Sequence, residues 1–353
     1  MNGSEFVALR ATGTYQNTLD ESNDVNTDWQ DLLYKTGMVT SHDIGVNGGT
    51  EKGSYSFGAG YYRDEAVVPL QDYSRYSMRA SLDQEIGQYF KVGFTSTNNY
   101  SVNNGNNLGA VYTALARSPI ANPYNADGSL KEIIQEQSSG AQWVSTRERL
   151  ESLDDKYIDQ TRSFGSYNTM YGEVKIPGVE GLKYRINVGL NYRQSNSGSY
   201  TGEGVFSGNP KNLSTASVAN SHRTNWAVEN LLTYDRLFAD KHQVNAVAMY
   251  SAEETQYNRS SISVKDIPSD AFQFYNLGRA NGDITLDPSR QEYEVSGLLS
   301  WMGRVMYSFD SRYMVSVTCV LMVLLVWPMA KSGIPILRFL PVGTLKTKHL
   351  CKM

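Results

Sequence analysis

Residues 182–193 read LKYRINVGLNYR, in which Leu182, Tyr184, Ile186, Val188, Leu190 and Tyr192 take alternate positions and Lys183, Arg185, Asn187, Gly189, Asn191 and Arg193 fill the places between. Successive side chains of an extended chain point to opposite faces, so this stretch spells a strand with one apolar face and one wet face.

The same alternation recurs on both sides of it. Tyr55, Phe57, Ala59 and Tyr61 alternate with Ser54, Ser56, Gly58 and Gly60, and Tyr76, Met78, Ala80 and Leu82 with Ser77, Arg79, Ser81 and Asp83. Phe90, Val92 and Phe94 alternate with Lys91, Gly93 and Thr95, and residues 226–238, 244–250 and 293–309 follow with more interruptions. From about residue 42 to 309 the pattern predicts about ten strands, each near the ~10 residues that a tilted membrane strand needs.

The connections sharpen this. Residues 49–53, 87–88, 177–181, 239–241 and 310–311 carry turn residues, whereas 103–163 and 258–290 are long excursions. Short turns on one rim and long loops on the other predict an all-β fold, part of a large antiparallel transmembrane β-barrel with long extracellular loops. A soluble β-rich glycan-binding or adhesin module is the alternative, but a sandwich keeps both rims short and needs apolar residues from two inner faces.

Composition fits a barrel. There are 24 Tyr against 11 Phe and 5 Trp, and such amphipathic aromatics suit a membrane interface. The mean hydropathy of −0.43 is that of a soluble protein, which a barrel with a wet face can match. A net charge of −4 and the lack of a basic stripe argue against a nucleic-acid partner.

Residues with the chemistry for catalysis are scattered. His42, His222, His242 and His349 make no metal spacing, Cys319 and Cys351 both fall late in the chain, and no nucleophile elbow, P-loop or dinucleotide fingerprint occurs. No enzyme activity, cofactor or metal is expected. Asn125-Ala126-Asp127-Gly128 and Asp287-Pro288 read as turns rather than calcium-loop fragments. Glu148, Glu151, Asp154 and Asp155 lie in a helical-looking stretch, 130–160, that reads as a solvated loop helix. Tyr112, Tyr124 and Trp143 are the candidate ligand-binding aromatics of the first long loop, suited either to stack on sugars or to pack the loop itself.

An ordered series of segments resembles one family. Asn26-Thr27-Asp28-Trp29-Gln30-Asp31, Val46-Asn47-Gly48-Gly49-Thr50-Glu51-Lys52, and Ser54-Tyr55 leading to Gly60-Tyr61 are similar to the start of the barrel in SusC/RagA-type TonB-dependent transporters. Arg75-Tyr76-Ser77-Met78-Arg79, Phe90-Lys91-Val92-Gly93, Pro119-Ile120-Ala121-Asn122-Pro123-Tyr124-Asn125 and Trp301-Met302-Gly303-Arg304-Val305-Met306-Tyr307-Ser308-Phe309 continue in family order. The resemblance covers residues 1–318.

It implies an outer-membrane transporter whose signal peptide, small sandwich domain and plug precede a barrel of about 22 strands. A SusD-like lipoprotein lids such a barrel, and TonB pulls on the plug to admit glycans or peptides. Residues 1–6 read as a point past the plug, and no charged segment followed by an apolar one opens the chain. The expectation is a barrel fragment, inactive and prone to aggregate alone, since open strand edges facing lipid are costly.

At Cys319 the alternation gives way to an apolar run, and residues 313–330 hold no charge. A membrane anchor is one reading of it. A shifted reading frame is another: read from the third base of the Cys319 codon, the single codons of Met322, Trp327 and Met329 force Gly, Ala and Gly, and the free bases can complete an Arg-Ala-Asp-Gly-Ser-Ser segment resembling the family's next strand. On that reading residues 1–318 are a partial barrel and 319–353 an out-of-frame tail.

Overall fold

The computed structural model describes residues 2–10, 20–22, 24–136, 139–328 and 336–347. Twelve strands form one antiparallel sheet. In chain order the strands are β1 (Met38–Thr50), β2 (Gly53–Glu65), β3 (Asp72–Ile86), β4 (Phe90–Asn104), β5 (Ile133–Glu136), β6 (Gly140–Trp143), β7 (Tyr157–Lys175), β8 (Leu182–Thr201), β9 (Thr215–Phe238), β10 (His242–Lys265), β11 (Ile284–Thr285), β12 (Glu292–Phe309), β13 (Tyr313–Pro328) and β14 (Ile336–Thr347). Each main strand pairs with the next, so the sheet is a meander from β1 to β14. β5 and β6 form a separate ribbon, and β11 adds to β10.

Register carries the alternation from strand to strand. Ile44 faces Ala59, Ala59 faces Met78, and Met78 faces Asn98. Tyr184 faces Leu232, Leu232 faces Ala248, Ala248 faces Gly303 and Gly303 faces Cys319. A slip of one residue anywhere would turn an apolar row onto the wet face. No slip occurs, so the apolar rows of neighbouring strands share one face of the sheet.

The five predicted tight turns join strands on one rim, and the long loops leave the other. The strands, however, are longer than the alternation suggested: β9 and β10 have 24 residues each. Their distal halves, such as 215–225, mix small, apolar and polar residues without a clean alternation, so the ladder continues where the hydropathy signal ends. The helical-looking stretch 130–160 is another correction. It holds the β5–β6 ribbon, the five-residue α4 (Arg147–Glu151) and a 3₁₀ turn before β7 begins. Thr146 ends the extended ribbon and caps α4, accepting from the Arg149 N–H at 3.3 Å.

The other helices are also short: α1 (Gly3–Arg10), α2 (Trp29–Leu33) and α3 (Ala110–Ala116). No helix among the described residues is long and apolar enough to cross a membrane, and residues 313–328 of the uncharged segment weighed as an anchor form β13, the last two lying outside the described residues.

The buried core lies outside the sheet, on the long-loop rim. Leu33, Ile134, Val144 and Leu150 are fully buried there, with Trp29, Trp143, Leu153 and Val205 around them. Residues 20–22, 24–37, 66–71, 105–136, 139–156 and 202–214 thus pack into one loop cap. A second cluster, Tyr200, Ala216, Val264 and Ile267, anchors the loop after β10.

Candidate functional site

Three surfaces carry chemistry: the apolar face, the polar face and the loop cap. On the apolar face, the positions from Tyr76 to Ile86 on β3, Phe90 to Tyr100 on β4, Phe164 to Val174 on β7 and Leu182 to Gln194 on β8 hold no charged residue. Many of their large side chains are open, Met78 at 67% and Phe90 at 57%. Phe90 to Tyr100, at ~3.3 Å per residue and ~45° of tilt, rises ~23 Å, close to the ~25 Å apolar band of a membrane barrel.

Aromatic rings mark both borders of this band. Toward the long loops, His42, Tyr61, Tyr76 and Tyr100 follow one another across β1–β4, with Tyr61 and Tyr76 centroids 5.1 Å apart and Tyr76 and Tyr100 6.5 Å apart. Phe164 and Tyr192 continue the row at 6.4 Å. Beside the short turns, His242 packs against Phe309 at 5.0 Å and Tyr234 against Phe238 at 6.5 Å. Rings with a polar edge prefer such borders between apolar and wet surroundings.

The polar face carries a linked charge network near the short turns. Lys91 pairs with Asp83 at 2.8 Å, and the Tyr171 hydroxyl donates to the same carboxylate. The Arg185 guanidinium lies 3.8 Å from the Tyr171 ring centre, meets Glu173 at 3.7 Å, and donates from Nε to Asn187 at 2.8 Å. Asn187 in turn donates to Glu229 at 3.0 Å. Opposite charges are thus shared across five neighbouring strands.

The loop cap is built from capped turns onto a shared core. Asp28 accepts from the Gln30 and Asp31 N–H groups and starts α2, whose Trp29 is buried and donates from Nε1 to the Ser118 carbonyl at 2.9 Å. Beneath it Arg117 meets Glu136 at 3.4 Å, the two side chains only 7% and 0% exposed. Between the cap and the loop after β10 lies a cleft of about 450 Å³, lined by Glu132, Arg149, Lys156, Glu203, Tyr200 and Asp270. The Tyr200 hydroxyl donates to Asp270 across its floor at 2.5 Å.

The three loop aromatics part company here. Tyr112, on α3, is 79% exposed, and Tyr124 is 38% exposed beside a bridge to Leu130. Trp143 is buried, edge-on to Phe206 at 4.8 Å, where it packs the cap and borders the same cleft. Phe206, Tyr157 and the Arg117–Glu136 pair had no signal in the sequence, because their neighbours come from distant loops. Asp127 accepts from the Ser129 N–H and hydroxyl, and Asp287 from the same groups of Ser289. Those bonds to the charged form hold both carboxyls below the usual range.

Comparison with known proteins places this architecture. TonB-dependent receptor P39 of Formosa agariphila is 22% identical over 323 residues, 89% of this chain and 29% of the relative. TonB-dependent receptor SusC of Bacteroides thetaiotaomicron is 33% identical over 57 residues, 16% of this chain and 6% of its own. A chain of the RagAB peptide importer in its open-open state superposes with a TM-score of 0.75 at 16% identity, over 92% of this chain and 39% of that one. No protein-family model matches. The resemblance to SusC/RagA-type TonB-dependent receptors holds, and the sheet is a stretch of their large antiparallel β-barrel. The chain spans 29% of the length of the first of these relatives, and the relatives are receptors and transporters rather than enzymes.

Proposed function

We propose that this chain is part of the wall of a TonB-dependent outer-membrane transporter that admits glycans or peptides. The apolar face is its lipid surface, and the polar face lines the lumen. A SusD-like lipoprotein would sit over the long-loop rim, and TonB would act through a plug within the lumen. The observation that carries this is the apolar band itself, continuous in register from β1 to β13 and bordered by aromatic rings on both sides. The alternative of a soluble module finds no support in it, because a soluble sheet would cover such a face.

Tryptophan quenching tests the reading. In micelles of brominated alkyl maltoside, a variant retaining only Trp301, on the apolar face, should lose most of its fluorescence. One retaining only Trp143, in the loop core, should keep it. Equal quenching of both, or none at Trp301, would overturn the assignment of the lipid face.

A further inference from the structure

We propose that Arg193 and Arg223 form an oxyanion site on the polar face, taking a carboxylate or sulfate group of a bound solute. The two residues stand directly opposite each other on β8 and β9. Their side chains leave from backbones ~5 Å apart, and both are exposed. Like charges in that relation destabilise a sheet, so the arrangement calls for an anion between them.

The described side chains supply none. Among the described residues neither arginine has an ion pair. In their row Arg223 is followed by Tyr257, whose ring centre lies 5.0 Å from its guanidinium, and only then by Glu294. Glu294 is two strands away from Arg223, ~10 Å. The next row differs: there a carboxylate residue, Glu292, stands directly opposite Arg259.

The surroundings suit an oxyanion. Stacking on Tyr257 holds the Arg223 guanidinium in place, and two guanidinium forks can each give parallel N–H bonds to one carboxylate or sulfate. Asn191 and Asn225, bonded to each other at 3.2 Å, and Ser195 and Ser221 border the pair with further polar groups. Tyr167, 43% exposed and opposite Asn191, offers an aromatic surface beside them. The transporter reading is needed only for the route by which the solute arrives, not for the site.

The test is titration of the whole chain in alkyl maltoside micelles, in chloride-free buffer, followed by calorimetry and thermal unfolding. Sodium sulfate should bind and raise the unfolding temperature, less so as ionic strength grows. R193Q and R223Q should each weaken binding about tenfold or more, whereas R79Q, on the same face of β3, should change nothing. R223Q should also unfold at a higher temperature than the unaltered chain when no anion is present, which shows that the variant folds. Tetragalacturonate and tetraglutamate, titrated side by side, distinguish an acidic sugar from an acidic peptide as the solute. Binding of neither, or sulfate binding undiminished in the double variant, would overturn the site. Tryptophan quenching reads the lipid face independently, so either proposal can fail alone.

Discussion

Single residues in the loop cap do work that no local pattern announces. Glu136 is fully buried against Arg117 and also accepts from the Ser118 N–H at 3.0 Å. Removing one partner of a buried pair leaves the other charge uncompensated. Glu136→Gln is therefore expected to destabilise the cap by about 3 kcal/mol, seen as faster hydrogen exchange over residues 105–156 with the sheet unchanged. Exchange as slow as in the unaltered chain would remove the pair from any structural role. Nothing near Glu136 in sequence foretold this, because its partner lies nineteen residues away on a loop. Trp143 teaches the same lesson: its edge-on contact with Phe206 joins residues 63 apart in the chain.

Secondary elements were far more legible, with two revealing exceptions. Tight hairpins at 239–240 and 310–311 place Ala239, Asp240, Asp310 and Ser311 at positive φ, between 47° and 54°. This is the turn geometry that favours Asn-Gly, and side chains other than glycine are strained there. Ala239→Asn with Asp240→Gly should stabilise the β9–β10 hairpin by roughly 1 kcal/mol, measured by urea unfolding in micelles; a loss of stability would exclude turn strain. The second exception is strand length, since alternation reports only the part of a strand with one apolar face. On β3 the two faces predict opposite outcomes for neighbouring residues. Met78→Arg should cost about 2–4 kcal/mol in a lipid bilayer, while Ser77→Arg, on the polar face, should be nearly neutral. Equal costs at both sites would mean that Met78 does not face lipid.

At the scale of the molecule, the wall and the loop cap are separate constructions. The wall is held by ladder bonds and its two-faced register, the cap by a dry core that owes nothing to the sheet's own pattern. The tail joins the wall but not its grammar. β13 keeps Ser316 and Thr318 on the polar face, then presents Val320 and Met322 there, opposite Met302 and Ser300. We propose that residues 319–353 are read in a shifted frame, on the apolar run that begins at Cys319 and the codons that Met322, Trp327 and Met329 fix. Sequencing of the locus checks it: a frame shift at this codon is expected, and an uninterrupted frame encoding the tail as written would falsify the idea.

The sequence by itself determined the strands, their two faces and the short turns, because side-chain alternation and turn preference are properties of neighbouring residues. Ordered family segments added the kind of barrel. Tertiary structure alone decided which rows meet and what the loops bury: the aromatic borders, the Arg117–Glu136 pair, and the two unmatched arginines on β8 and β9. Each of these joins residues distant in the chain, and their meeting depends on a register and a packing that no single segment encodes.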